Sequence, residues 1–596
     1  MFKVSKQQFD LIVIGSGAAG LMAAISAKES GVNNIAVISK VVPTSSHTVA
    51  AKGGINATLG NETKDDWQWH AYDTIKGSDY LADVDAVEIL CSQAKEAVLN
   101  LEKMGVVFSR NNKGKIAQRA YGGQVSDFGK GEVAYRACYS KDKTGRTILH
   151  SLHQQALKAG IKFFSEFFVT DLLMIQDDKC QGCMAIDLNS GELIVFESKI
   201  TILATGGYSQ IYHNTTSSLI CSGDGSALVF QEGLELQDME FVQFHPTGIA
   251  GRGFLITEAA RSEGAYLLNS DGERFMKNYA PKMMELASRD IISQAMATEI
   301  HAGRGVGNNK DGLYLDLRHI DSDILQHKLP GVVDLVQSFT GLDVEKDPIP
   351  VAPSAHYTMG GIPTDLDCNV MSHKKNVIGL MAVGEAACVS VHGANRLGCN
   401  SLLDLVVFGK IAGEQAAKKI LEIEFLESED LINKRITALE NSFLPSGQQN
   451  DAKLDALKKK LQENNERNLS VFRDQNLLQE GKQVLEKLWI EFNKYKITNR
   501  SLLWNEEVVA YFELKNLFLN SLATNFSALN RLESRGAHYR SDYREADSDK
   551  FFGHSLVKII NHSENNNENK LEFSLKPVRS SSEFPDLNLN FKKREY

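Results

Sequence analysis

The sequence predicts an α/β protein whose nucleotide-binding domain is assembled from separated stretches of chain. Three observations predict it. An apolar strand near the N-terminus ends in a glycine-rich turn. Two more glycine-ended strands lie close to residues 200 and 380. After Gly409 the chain turns rich in Lys, Glu, Leu, Asn and Gln and poor in glycine, the texture of a helical domain.

The bulk properties agree. A chain of 596 residues is long enough for several domains and a large core. Its 43% apolar and 23% charged content is that of ordinary globular protein and excludes global disorder. A net charge of −10 argues against a nucleic-acid binder, whose surface is basic. The opening MFKVSKQQFD has neither an apolar signal core nor a twin arginine, so export is not expected. No apolar run is long enough to cross a bilayer core of about 30 Å, so a soluble or peripherally bound protein is expected.

The eight cysteines are scattered, as in a reducing compartment. Only Cys180-Gln-Gly-Cys183 is closely spaced. Without a second pair it reads as a hairpin turn ahead of the strand-like MAIDLN rather than a zinc or redox site. No four-cysteine iron–sulfur pattern occurs, and no metal site is expected.

The first element, FDLIVI at 9–14, is a short β-branched run that leads into GSGAAG. The helix-like LMAAISAKES and a second strand, NIAVIS at 34–39, follow. This is the opening of a Rossmann-like unit, and GSGAAG is its G-x-G-x-x-G turn. Gly15 permits the tight turn, Gly17 lets backbone approach a pyrophosphate, and Gly20 lets helix and strand pack closely. Ser16, Ala18 and Ala19 complete a helix N-terminus that faces the phosphates. The acid expected about 20 residues on, for a ribose hydroxyl, is absent, because the strand ends at Ser39-Lys40. That weakens a nicotinamide reading and suits a flavin dinucleotide contacted along its length.

The strands KITILA, ending in TGG, and VIGLMAVGE are the two later pieces of the domain. The stretch between them, roughly 240 to 355, is expected to be an insertion. LDALKKKLQENNERNLSVFRDQNLLQEGKQVLEKLWIEF has helical apolar spacing, and its alternating charges are those of solvated faces. NHSENNNENK is expected to be a loop between two strand-like segments.

Residues suited to a small dianion cluster in the insertion and just after it. They are His245 in QFHPTG, Thr257, Glu258 and Arg261 in LITEAARSEG, Arg289 in LASRD, His356 in SAHYTMGG and Arg396 in HGANRLGCNSL. Arginines and histidines can grip two carboxylates. Taken singly, each has a plain structural alternative: a packed histidine, an i,i+3 helix pair for Glu258 and Arg261, or a helix-start pair for Arg289-Asp290. Their position beside glycines and prolines favours the functional reading. His47, in PTSSHTVAAKGG, stands among small residues before a glycine pair and by itself reads as an exposed loop histidine.

With these motifs in order, the chain resembles the flavoprotein subunits of succinate dehydrogenase and the quinol-linked fumarate reductases, nearly end to end. LIVIGSGAAG, SKVVPTSSHTVAAKGGINA, DKTGRTILHSL, ILATGG, SGDGSAL, QFHPTGI, LITEAARSEGAYLLN, AHYTMGGIPTD, VGEAACVSVHGANRLGCNSLLDLVVFG and ESRGAHYRSDY carry the resemblance. It implies a discontinuous FAD-binding domain at 1–239 and 356–415 and an inserted α+β capping domain at 240–355. A helical domain at 416–535 and a small C-terminal domain at 536–596 would follow. It further implies FAD bonded covalently to His47, the pyrophosphate on 15–20, and Ser39, Lys40, Ser46, Thr48, Gly53 and Gly54 along the dinucleotide. Asp224, Glu385, Ser401 and Leu402 would complete that site.

The resemblance gives His245, Thr257, His356 and Arg396 to the substrate carboxylates and makes Arg289 the proton donor or acceptor. Glu258 and Arg261 would relay the proton to solvent. An arginine, whose pKa exceeds about 12, needs such immediate exchange to act in acid–base chemistry. The implied partners are an iron–sulfur subunit and a quinone-reactive membrane anchor, with the chain peripheral on the cytoplasmic face of the inner membrane. Cys399 departs from the family, which usually has a second glycine there, and 440–500 matches only in helical character. The nearest alternative is a soluble FAD-dependent dicarboxylate oxidase such as L-aspartate oxidase, which shares the clamp motifs but lacks the histidine at His47. A non-catalytic flavin-binding subunit is the other alternative; it would have an eroded clamp, and here the clamp residues are all present.

Overall fold

The protein is described from a computed structural model covering residues 2–175, 178–307, 309–445, 453–561, 570–589 and 592. Strand β1 (Val4–Ile14) runs parallel to both of its neighbours, β2 (Ile35–Ser39) and the strand Glu192–Leu203. Lys162–Ser165 extends the parallel set beyond β2, and Lys375–Ala382 extends it beyond Glu192–Leu203. Leu11, Ile12 and Val13 are fully buried, as an apolar run covered on both faces of a parallel sheet must be. In register, Ile14 meets Ile38 and Leu203, and Leu203 meets Ala382. Four strands drawn from residues 4 to 382 therefore end at one level, where open α/β sheets bind ligands.

Helix α1 (Ala18–Glu29) is buried along nearly its whole length. It packs against the helix Asn400–Lys419, where Gly409 and Gly413 abut the carbonyls of Ala19 and Ala23. Residues 242–358 build a separate antiparallel sheet, in the order Val242–Ile249, Ile349–Thr358, Leu313–Asp316, Tyr266–Leu268. This sheet has its own core around Leu267, Phe275, Met296 and Leu315. The expected helical region consists of Glu429–Glu440, Leu454–Asn468, Gln475–Asn493 and Glu506–Asn530. Its apolar stripe, including Leu457, Leu461, Leu485 and Phe518, joins the core on one side of the main sheet. Strands Gly553–Asn561 and Lys570–Pro577 pair antiparallel. The expected NHSENNNENK loop between them lies, from 562 to 569, outside the described residues.

One sequence expectation is corrected. Cys180 and Cys183 do not form a hairpin turn; both are buried inside the strand Lys179–Asp187. Gly182, at φ +121°, absorbs a bulge there, so the short polar-looking CQGC stays in the sheet and the turn falls before Lys179. Among the described residues no helix is long and apolar enough to cross a membrane, and no His, Cys, Asp and Glu residues are grouped as a metal site needs.

Candidate active site

A cleft of about 340 Å³ joins the strand ends of the main sheet to the inserted sheet. That lies within the range of about 300–1,000 Å³ usual for small-molecule pockets. Of the sequence-predicted residues, Gly20 and Arg261 stand behind the lining and all the others line the cleft.

At the sheet end, Gly15 has φ +112°, and a side chain there would strike the Ala204 carbonyl. Gly20 packs directly over the Gly15 carbonyl, which lets α1 start against the sheet. The N-cap Gly17 leaves the first turn of α1 without a side-chain cap, and Ala18 N–H reaches Thr48 Oγ1 at 3.1 Å. The remaining helix-start N–H groups, opening on a glycine-walled cleft, fit the pyrophosphate of a dinucleotide. Ser16 Oγ donates to Ser39 Oγ at 2.8 Å.

Lys40 is taken up by Asp224 (2.9 Å) and Glu513 (2.7 Å). Burial disfavours its charge, but the two carboxylates outweigh that and raise its pKa. Glu385 accepts from Thr358 N–H at 3.0 Å, and burial pushes its carboxyl up to about 7. His47 opens a short 3-10 turn, and Ser46 Oγ accepts from Thr48 N–H at its start. Ser218 N–H donates to His47 Nδ1 at 3.2 Å. Burial lowers the imidazole to about 4, so it is neutral near pH 7 and, with Nδ1 accepting, carries its proton on Nε2.

At the other end, four separate elements converge. Strand Val242–Ile249 carries Gln243 and His245, strand Ile349–Thr358 carries His356, and Arg289 is the first residue of the helix Arg289–Glu299. The loop ahead of Asn400–Lys419 brings Arg396, which stacks over the Tyr357 ring at 4.5 Å and bonds to Ser401 Oγ. The His245 and His356 rings lie 5.0 Å apart. Burial, with nearby arginines, holds both well below the usual histidine range. Thr247 N–H donates to His245 Nδ1 at 3.2 Å, which makes Nε2 the protonated nitrogen of that neutral ring. His356 Nδ1 pairs with Thr216 Oγ1 at 2.7 Å.

Arg289 Nε donates to Glu258 Oε2 at 3.0 Å, and Gly122 N–H holds Glu258 Oε1 at 3.1 Å. Burial pushes the Glu258 carboxyl up, but Arg289 and Arg261 more than reverse it, so it stays ionised. Arg261 Nη2 sits 3.5 Å behind Glu258 Oε2, and Nη1 donates to the Glu285 carbonyl at 2.5 Å. On its far side Arg261 lines a second, outward-facing recess with Glu263, Arg274 and His319. The i,i+3 spacing of Glu258 and Arg261 thus carries more than a surface helix pair, because both are buried and Arg289 joins them.

Cys399 takes a left-handed conformation (φ +66°) at the N-cap of Asn400–Lys419, and burial pushes its thiol up to about 12. Opposite it, Gly53 supplies room; a Cβ there would come within 3.2 Å of the sulfur. Two residues escaped the sequence reading. Gln243 directly precedes the FHP motif and is fully buried. Tyr121 sits before a glycine pair in AYGG, the same signal that marked His356, and it lines the cleft.

Residues 10–402 match the family model of the FAD binding domain, and 458–596 match that of the fumarate reductase flavoprotein C-terminus. A Rickettsia bellii succinate dehydrogenase flavoprotein subunit is 48% identical over 565 residues, 94% of each chain. A Wolinella succinogenes 8-methylmenaquinol:fumarate reductase flavoprotein subunit is 40% identical over 92% of this chain and 88% of its own. Among solved structures, an E. coli quinol fumarate reductase variant superposes with a TM-score of 0.91 at 34% identity, covering 98% of both chains.

Proposed function

The chain belongs to the family of succinate dehydrogenase and fumarate reductase flavoprotein subunits, and from that premise we propose how this cleft works. The enzyme interconverts succinate and fumarate through FAD. Residues 15–20, Ser39, Lys40, Ser46, Thr48, Gly53, Gly54, Asp224, Glu385, Ser401 and Leu402 would hold the dinucleotide, and His47 would carry its covalent bond. The neutral imidazole's Nδ1 already accepts a hydrogen bond, so Nε2–H is the ring position that would lose its proton to take the bond. When bound, the flavin takes or supplies the hydride.

The observation that carries the reading is the buried cluster of Arg289, Glu258, Gln243 and Arg396 at the end of a dinucleotide cleft. Arg396 and the Nε2–H of His245 grip the substrate carboxylates, with His356 and Thr257 beside them. Hydrogen bonds to charged groups contribute about 1.5–3 kcal/mol each, so such a set selects a dianion. It also polarises one carboxylate, easing hydride arrival at the adjacent carbon. Arg289 passes the second hydrogen as a proton. Glu258 Oε2 accepts from Arg289 Nε, and Arg261 connects that carboxylate to the outward recess, so the guanidinium is returned to its charged form at once.

Electrons leave through a docked iron–sulfur subunit towards a quinone-reactive membrane anchor, with this chain peripheral on the cytoplasmic face. We place the FAD domain at 1–239 and 356–415, the cap at 240–355, the helical domain at 416–535 and the C-terminal domain at 536–596. The test is direct. The FAD-loaded chain should reduce an artificial dye when succinate is added, with competitive inhibition by malonate. An FAD-loaded chain with no succinate-dependent dye reduction overturns the reading.

A further inference from the structure

We propose that the Tyr121 hydroxyl is a further hydrogen-bond donor to the dicarboxylate, acting beside Thr257; this rests on the reading above of the clamp as a dicarboxylate site. The strand Gln118–Val125 pairs with Val133–Cys138, but the register breaks in its middle. Ala120 faces Tyr135 and Val125 faces Val133, so residues 121–124 bow out opposite a single partner position. Bulges of this kind re-aim side chains beside active sites. Gly122, within the bow, holds Glu258 Oε1 through its N–H, which fixes the bow against the clamp.

Tyr121 itself is 3% exposed, and its hydroxyl is buried without a hydrogen-bond partner among the described residues. The Thr257 hydroxyl is close enough to interact with it but is not within hydrogen-bond geometry, and Cys399, Arg119 and Glu258 act on it electrostatically. A buried phenol normally finds a partner, so an unpaired one on a cleft wall points to a ligand that is bound there. Room for it is built in: a Cβ at Gly53 would stand 2.7 Å from the phenol oxygen, and glycine removes it. Burial raises the phenol's pKa, so it stays an O–H donor at working pH.

Of the nearby protein acceptors, the Thr257 hydroxyl stands outside hydrogen-bond geometry and already takes the Ala259 N–H, and Glu258 is engaged. Glu258 Oε1 takes the Gly122 N–H, and Oε2 takes Arg289, with Arg261 close behind. The Cys399 thiol is a weak partner. A substrate carboxylate gripped near Thr257 presents about four acceptor positions and leaves lone pairs for a neutral donor.

The test is Tyr121→Phe in the FAD-loaded protein, with malonate as the probe, a dicarboxylate that binds without being dehydrogenated. Binding is read from the perturbation of flavin absorption and from the malonate-induced rise in unfolding temperature. The expected result is unchanged flavin content and unliganded unfolding temperature, with malonate Kd and succinate KM both raised about tenfold or more and kcat within about threefold. A malonate Kd and succinate KM within about twofold of wild type overturn the proposal, as does a lower unliganded unfolding temperature at unchanged Kd. If the wild-type protein binds no malonate, the dicarboxylate reading falls, and this proposal with it. Normal wild-type binding with an unaltered variant sinks this proposal alone.

Discussion

Arg289 and Arg396 meet on one oxygen: Gln243 Oε1 accepts from Arg289 Nη1 and from Arg396 Nη2, each at 2.9 Å. Two buried like charges would otherwise repel, and the repulsion shows in Arg396, whose pKa burial and Arg289 together lower to about 10. Gln243 Nε2 is anchored in turn on Asn395 Oδ1 and the Arg396 carbonyl, both at 2.8 Å, so the amide orientation is set.

Gln243→Leu therefore leaves the two guanidiniums without a common acceptor. Since misplacing reacting groups by about 1 Å can cost about 100-fold, kcat/KM for succinate should fall about 10–100-fold with flavin content intact. Gln243→Glu should instead act mainly on KM, because an added anion competes with substrate for the same cations. Steady-state kinetics on both variants check this; wild-type values in Gln243→Leu would show that the bridge is dispensable.

Arg289→Gln keeps a polar side chain at the helix start but removes the group that exchanges a proton with Glu258. Acid–base groups contribute about 10²–10⁴-fold, so kcat should drop by that order while malonate still binds and FAD stays attached. Dye-reduction assays beside a flavin count decide it.

His47→Ser should keep FAD only non-covalently. Acid precipitation of the wild-type protein should leave flavin fluorescence in the pellet, and the variant's pellet should lose it. Acid-stable flavin in His47→Ser would put the bond on another residue, and a wild-type pellet without flavin would favour the soluble oxidase alternative.

A pH effect should arise outside the cleft lining. His554, fully buried, lies between Asp238 (2.6 Å from Nδ1) and Asp83 (3.2 Å from Nε2). Burial works against its charge, but the two carboxylates win and raise its pKa from 6.5 to about 9. A raised folded-state value means stability that is complete below about 6.5 and is lost as pH rises through about 9, a few kcal/mol at most. Unfolding temperatures between pH 6 and 10 should decline across that window, and His554→Gln should flatten the decline.

Purified alone, the FAD-loaded chain should reduce soluble dyes but not quinone. Restoring quinone reduction should require the iron–sulfur and anchor subunits; efficient quinone reduction by the single chain would remove the need for them.

The parts of the molecule ruled by local periodicity were legible in advance. β1, the glycine turn and α1 follow from a β-branched run, three glycines and an alanine-rich segment, and Arg289 was expected at a helix start, where it is found. What escaped depended on long-range geometry. Gln243 matters because two arginines, one at a helix start and one in a loop, arrive at its oxygen, and Tyr121 because a register break in its strand turns it inward. CQGC was misread because a glycine between cysteines looks like a turn, whereas an adjacent strand absorbs the irregularity as a bulge.

The cleft draws its walls from Ile14 at one extreme and Leu405 at the other. On a translating ribosome these do not coexist until about two thirds of the 596 residues have been made. At roughly 5–20 residues per second, the glycine turn waits about 20–80 s for its opposite wall. Cofactor loading is therefore a late event in the life of the nascent chain. Until strand Lys375–Ala382 arrives, the edge of Glu192–Leu203 that it will cover is open to mispairing, which makes that interval the one in which a shortage of flavin or of chaperones would do most harm.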